Sequence, residues 1–120
     1  MVLWLGHGDA YELLGELVTA EYGLSALPPV EREGNGKPFF PGAPGLHFNL
    51  SHSGSLSLCG AGGAPLGVDV ELVRPRRAGL AKYVLSEAEY AWFQQQGGGW
   101  GAFYTLWTLK EARIKCTGLG

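Results

Sequence analysis

Three carboxylates and two ammonium groups stand among residues that otherwise read as core. Asp69 and Glu71 belong to a G-V-D-V-E run at 67–71. Glu111 lies with Lys110 and Lys115 in L-W-T-L-K-E-A-R-I-K at 106–115. Charge beside buried aromatics is costly unless it is paired or a bound ligand compensates it. A divalent cation with a phosphate-bearing ligand would compensate both signs. Magnesium takes oxygen ligands, usually one or two carboxylates, and completes its shell with water and substrate phosphate. The D-x-E pair alone suits solvent-facing acids on a half-exposed strand equally well. Glu111 with Lys115 is, in isolation, an exposed i,i+4 pair worth about 0.2–0.5 kcal/mol. Their combination is more informative. On a helix, Phe103, Trp107 and Ile114 share one stripe, Glu111 stands about 40° round from Trp107, and Lys110 falls within the stripe itself.

Two further segments could contact an anion. His52, between Ser51 and Ser53 and before Gly54, offers a ring and hydroxyls, although the same residues serve a plain local turn. Lys37, between Gly36 and Pro38, is in isolation a solvated loop lysine. Trp4, Trp92 and Trp100 read as packing residues.

These groups need elements to aim them. Asp9 followed by Glu12 predicts a capped helix over Ala10 to Tyr22, stopped by Gly23, with Leu13, Leu14, Leu17 and Val18 as its apolar stripe. The Pro- and Gly-punctuated stretch 28–44 reads as loop with a short extended piece at Phe39-Phe40. A strand is expected over 46–50, then a turn at 51–54. A second strand carries Leu56 and Leu58, a hairpin connection follows at 60–65, and a third strand spans 66–72. Strand alternation would put Val68 and Val70 on one face and Asp69 and Glu71 on the other. Ser86 with Glu89 predicts a capping box opening a helix to about Gln96, burying Tyr90 and Phe93. The last helix is expected over 101–116, ended by Gly118. Helix, strands, then helices argue for an α+β fold with a small antiparallel sheet.

At 120 residues, 46% of them apolar, the chain fits one domain with a core of its own. Its 20 glycines and 7 prolines stay below the roughly 25–30% that marks low-complexity disorder. A net charge of −2 carries no basic footprint for nucleic acid. The apolar start ends at Gly6, short of the roughly 7–15 apolar residues of a secretory leader. No stretch reaches the roughly 18 apolar residues of a membrane span. Cys59 and Cys116 lack metal or redox spacing and read as reduced thiols, so a cytoplasmic location is expected.

In chain order the segments run G-K-P at 36–38, F-N-L-S-H-S at 48–53, G-V-D-V-E, L-S-x-x-E at 85–89, then W-T-L-K-E-A-R-I-K. This succession resembles the 4′-phosphopantetheinyl transferases, in particular the broad-specificity type that primes carrier domains of peptide and polyketide synthases. The resemblance covers about residues 15–118. It implies transfer of phosphopantetheine from coenzyme A to a serine of an acyl or peptidyl carrier protein, releasing adenosine 3′,5′-bisphosphate. By that resemblance Asp69, Glu71 and Glu111 would hold Mg²⁺ around the pyrophosphate. Glu111 would also be the general base, acting directly or through a metal-bound water. Lys115, with Lys110, would steady the phosphates. Lys37, Pro38, Ser51 and His52 would contact the nucleotide and its 3′-phosphate. Such chemistry asks of the protein mainly positioning and charge neutralisation.

The pattern also departs from the family. Members of this type consist of two similar halves. Here residues 1–66 resemble the first half and 67–120 the start of the second. An N-terminal strand ahead of the first helix is expected to be missing, Tyr11 stands where an arginine is common, and the strands completing the second half-sheet would lie past Gly118. Two alternatives follow: a shortened relative that binds coenzyme A or a carrier without turnover, and a homo-oligomer in which a second copy completes the sheet.

Overall fold

The first secondary-structure element precedes the first helix. In the computed structural model, which describes residues 1–118, Val2–His7 forms strand β1. The expectation of a missing N-terminal strand is therefore corrected. Val2, Trp4 and Gly6 turn inward while Leu3, Leu5 and His7 face out, a period of two that the short apolar run conceals.

Helix α1, Ala10–Tyr22, forms where its signals place it. Asp9 Oδ1 accepts the Tyr11 N–H at 2.8 Å, and Gly23 closes the helix with φ 69°, which favours glycine. Leu14, Leu17 and Val18 are fully buried against one face of a sheet. Strands β2, Glu31–Arg32, and β3, Pro38–Phe39, make a two-rung hairpin. Strands β4, His47–Ser53, and β5, Leu56–Gly62, complete the antiparallel sheet in the order β1-β5-β4. Phe48, Cys59 and Ala61 supply its half of the first core, with Phe40 tilted onto Phe48 at 4.3 Å. Burying each such large side chain stabilises by about 1.5–3 kcal/mol.

The strand boundaries differ from expectation. Pairing continues to Ser53↔Leu56, so Ser51, His52 and Ser53 belong to β4 and the turn is only Gly54-Ser55. Gly54, with φ 59°, supplies the left-handed backbone this tight turn needs. Strand β5 likewise runs on through Gly60 and Gly62, part of the expected hairpin connection.

Residues 66–72 join no ladder. They run extended over the second face of β4, held by its side chains. Asn49 Oδ1 accepts the Val68 N–H at 2.9 Å, Ser51 Oγ the Val70 N–H at 3.1 Å, and Ser53 Oγ the Leu72 N–H at 3.1 Å. Each step of two on β4 matches a step of two on the segment, so the two run parallel. The segment is the third strand in its alternation, but its partners are side chains.

Three helices build a second core. Helix α2, Leu80–Val84, was not foreseen; α3, Glu87–Gln95, opens on the expected Ser86/Glu89 capping box; α4 spans Trp100–Thr117. Ala81, Leu85, Phe93, Phe103 and Tyr104 are its buried members, with Trp100 edge-on to Phe103 at 5.4 Å and Trp107 stacked on it at 6.1 Å. Trp92, expected to pack, stays 37% exposed. The α+β expectation holds. The far end of α4 reaches back to the first core, where Gly67 lies so close that a Cβ there would strike the Ala112 carbonyl and the Cys116 backbone.

Candidate functional site

That close approach sets the site. With Gly67 against α4, Asp69 meets Lys115: Lys115 Nζ donates to Asp69 Oδ1 at 2.9 Å. The Ser51 hydroxyl donates to the same oxygen at 3.1 Å. Asp69 is 5% exposed in its side chain, and its second oxygen, Oδ2, is buried with no hydrogen-bond partner. A buried acceptor left unmet costs about 1–3 kcal/mol, more when charged. An orphaned carboxylate oxygen is the kind of group a hard cation satisfies.

Lys115 also lines a cleft of about 780 Å³ between the start of α1, the β2–β3 hairpin, β4 and the end of α4. Arg32, Lys37 and His52 line it too, together with Pro38 and Tyr11. The lining acid Asp9 is engaged with the Tyr11 N–H. The cleft is thus predominantly cationic, which suits phosphate. Lys37 has a second role: its ammonium donates to the Cys116 carbonyl at 2.7 Å and the Leu66 carbonyl at 3.1 Å. It satisfies an end-of-helix carbonyl of α4 and ties hairpin, helix and the 66–72 segment together.

The expected site residues separate into three groups. Lys37, Pro38, His52 and Lys115 share the cleft. Ser51, expected to touch a nucleotide, is 5% exposed and engaged by Asp69 and Val70; it is not among the residues that line the cleft. Lys110 pairs with Glu89 of α3 at 2.9 Å, across the helix–helix contact. Glu71 and Glu111 are partly buried, and their carboxylates hold no hydrogen bond or ion pair among the described residues.

No group of three or more His, Cys, Asp or Glu is arranged to hold a metal among the described residues. The convergence of Asp69, Glu71 and Glu111 on one ion is accordingly not preformed; Lys115, on Asp69 Oδ1, already neutralises part of that charge. The fit to a cation rests on Asp69 Oδ2.

Glu89 titrates below the ordinary carboxylate value because the Ser86 backbone N–H and then the Lys110 ammonium stabilise its charge. A depressed folded pKa gives stability that is present above the ordinary value of 4.5 and lost as pH falls from there through the folded pKa. The Glu89→Gln variant is expected to lose under about 1 kcal/mol at neutral pH. Its urea midpoint should then fall less than that of the parent between pH 6 and about pH 3.5. Equal falls would contradict the pairing.

Arg32 was not singled out from the sequence. Its Nη1 donates to the Gly36 carbonyl at 2.8 Å, and its pairing opposite Pro38 brings it to the cleft. The G-N-G turn between two short extended pieces was the available hairpin signal. Asn35 shapes that turn by accepting the Lys37 N–H at 3.0 Å.

The sequence profile of the 4′-phosphopantetheinyl transferase superfamily matches residues 65–120. The 4′-phosphopantetheinyl transferase psf-1 of Bacillus pumilus is 39% identical over 116 residues, covering 90% of this chain and 50% of the relative. The 4′-phosphopantetheinyl transferase gsp of Aneurinibacillus migulanus is 36% identical over 121 residues, covering 93% and 50%. The 4′-phosphopantetheinyl transferase Sfp of Bacillus subtilis (strain 168) is 38% identical over 87 residues, covering 71% and 39%. The chain thus spans half or less of the length of these curated relatives. No helix among the described residues is long and apolar enough to cross a membrane. The profile falls on the D-x-E segment and α4, the two pieces that Gly67 presses together, and the relatives extend the likeness back through the cleft: the chain belongs to the 4′-phosphopantetheinyl transferase superfamily.

Proposed function

We propose that this chain carries out, or forms the site for, transfer of 4′-phosphopantetheine from coenzyme A to a serine hydroxyl of an acyl or peptidyl carrier protein. The observation that carries this reading is the buried, half-satisfied Asp69 joined through Lys115 to a cationic cleft. In the reaction the serine Oγ forms a bond to the β-phosphorus as the bond to the adenosine-bisphosphate oxygen breaks. The serine proton passes to Glu111, which is free of other partners among the described residues. Lys115, Lys37 and Arg32 counter the charge on the phosphates, and His52 adds a ring donor at the cleft wall. Asp69 Oδ2, with Glu71 and Glu111, would hold Mg²⁺, and a magnesium ion there would neutralise the pyrophosphate and its developing charge. Family membership and the relatives' names support the reaction class.

The test is incubation with an apo carrier protein, coenzyme A and Mg²⁺, read by intact mass. A gain of one phosphopantetheine on the carrier is the expected result. Glu111→Ala should slow it by about 10²–10⁴-fold, the usual contribution of a general base.

A second reading has its own observation, the lack of a preformed three-carboxylate cluster among the described residues. On it, the chain binds coenzyme A or a carrier without transferring the group. Calorimetric binding of coenzyme A with no mass gain at any Mg²⁺ concentration would select it.

A further inference from the structure

Ser51 is buried in β4, and its single hydroxyl engages two different groups. It accepts the Val70 N–H at 3.1 Å and donates to Asp69 Oδ1 at 3.1 Å. The neighbouring contacts to this segment are simpler: Asn49 accepts from Val68 and Ser53 from Leu72, and neither bonds a carboxylate among the described residues. Asp69 Oδ1 therefore has two donors, Ser51 and Lys115, while the buried Oδ2 has none. A carboxylate whose one oxygen is doubly held has its rotation about the terminal bond fixed, and which oxygen stays open is fixed with it.

We infer that Ser51 is a positioning residue: it sets the register of the 66–72 segment and, with Lys115, orients Asp69 so that Oδ2 is the oxygen offered to a cation. Two donors of different kinds share the task. Lys115 comes from α4 and is 30% exposed in its side chain; it can serve a phosphate in the cleft as well. Ser51, within β4, is only 5% exposed. It keeps Asp69 in place when the lysine is drawn toward a ligand. The cation part of this inference rests on the functional reading above; the orientation part does not.

The experiment uses the full chain in four forms: wild type, Ser51→Ala, Ser51→Thr and Ser53→Ala. Side-chain coupling constants measured by NMR without metal report the Asp69 rotamer, and Mn²⁺ titration followed by electron paramagnetic resonance reports the cation. Wild type, Ser51→Thr and Ser53→Ala should each show a single Asp69 rotamer, and Ser51→Ala an averaged one. Mn²⁺ binding should weaken about 10-fold or more in Ser51→Ala, the usual loss when a ligand's supporting hydrogen bond is removed. It should stay within about threefold of wild type in the other two. A single Asp69 rotamer in Ser51→Ala overturns the inference, as does equal weakening in Ser51→Ala and Ser53→Ala. If wild type binds no Mn²⁺ while the rotamer pattern appears as expected, the magnesium reading fails and the orienting role of Ser51 stands.

Discussion

Gly67→Ala is expected to lower the unfolding free energy by about 3 kcal/mol or more, above the range of ordinary core overpacking. The reason is local and rigid. An added Cβ at residue 67 meets the carbonyl oxygen of Ala112 and the backbone of Cys116. No side chain can rotate away to make room, because the obstructing atoms belong to a helix backbone. Either α4 lifts from the 66–72 segment or that segment leaves β4. Each route breaks something named above: the Lys37 bonds to Leu66 and Cys116, the Lys115–Asp69 pair, or the Asn49 and Ser51 bonds. Urea denaturation measures the loss. A variant within about 1 kcal/mol of wild type would mean that the glycine is not in contact with the helix. Gly8, Gly63 and Gly99, with nothing within 4 Å of a built Cβ, are controls for crowding. Of these, Gly8 also has φ 89°, so an alanine there tests backbone strain separately.

The second large effect concerns Lys115. Lys115→Met removes the ammonium and leaves Asp69 with only the Ser51 hydroxyl and a carboxylate 5% exposed. Breaking a fully buried pair this way costs about 3–5 kcal/mol, and the partial exposure of Lys115 reduces the expectation to about 2–3 kcal/mol. Asp69→Asn should cost less, about 1 kcal/mol, because the stranded ammonium reaches water. The double variant removes both charges together and should recover about 1–2 kcal/mol of the summed loss, the coupling typical of residues in contact. Transfer activity should not follow stability. Each single variant, and the double, is expected to lose about 10²-fold or more, because the cationic contact or the carboxylate is absent in all three. Recovery of stability without recovery of transfer separates the pair's structural role from its chemical one. A double variant whose loss equals the sum of the two single losses would show that the pair contributes nothing.

Local signals were legible where a capping side chain marks the helix start, and missed at α2, whose N-cap Gly79 supplies none. Helix α1 keeps the bounds its cap and glycine stop imply, and the Ser86/Glu89 box opens α3. Those hydrogen bonds join residues two to six positions apart, so spacing alone contains them. What spacing cannot contain is who lies across the fold. Lys110 sits in the apolar stripe of α4 by its angle, yet only the packing of α3 on α4 reveals Glu89 as its partner. Alternation along 66–72 correctly separates Val68 from Asp69, but it reports neither that both are buried nor whether the backbone pairs with a strand or with side chains. Strand β1 has the opposite difficulty. Six residues ending in Gly6 and His7 offer too short a pattern, and β5, their partner, lies some fifty positions away. Of the site, Lys37, Pro38, His52 and Lys115 were named in advance and share one cleft. Arg32 went unnoticed because its position depends on a hairpin only two rungs long.

Because residues 66–72 are fastened to β4 by side chains, scaffold and chemistry are written in separate alphabets. A mutation at Asn49 or Ser51 can shift or tilt the acidic segment while every backbone rung of the sheet stays intact. Drift at those two polar residues would thus move the acids without endangering the architecture, a freedom denied to any protein that mounts its acids on a fully laddered strand.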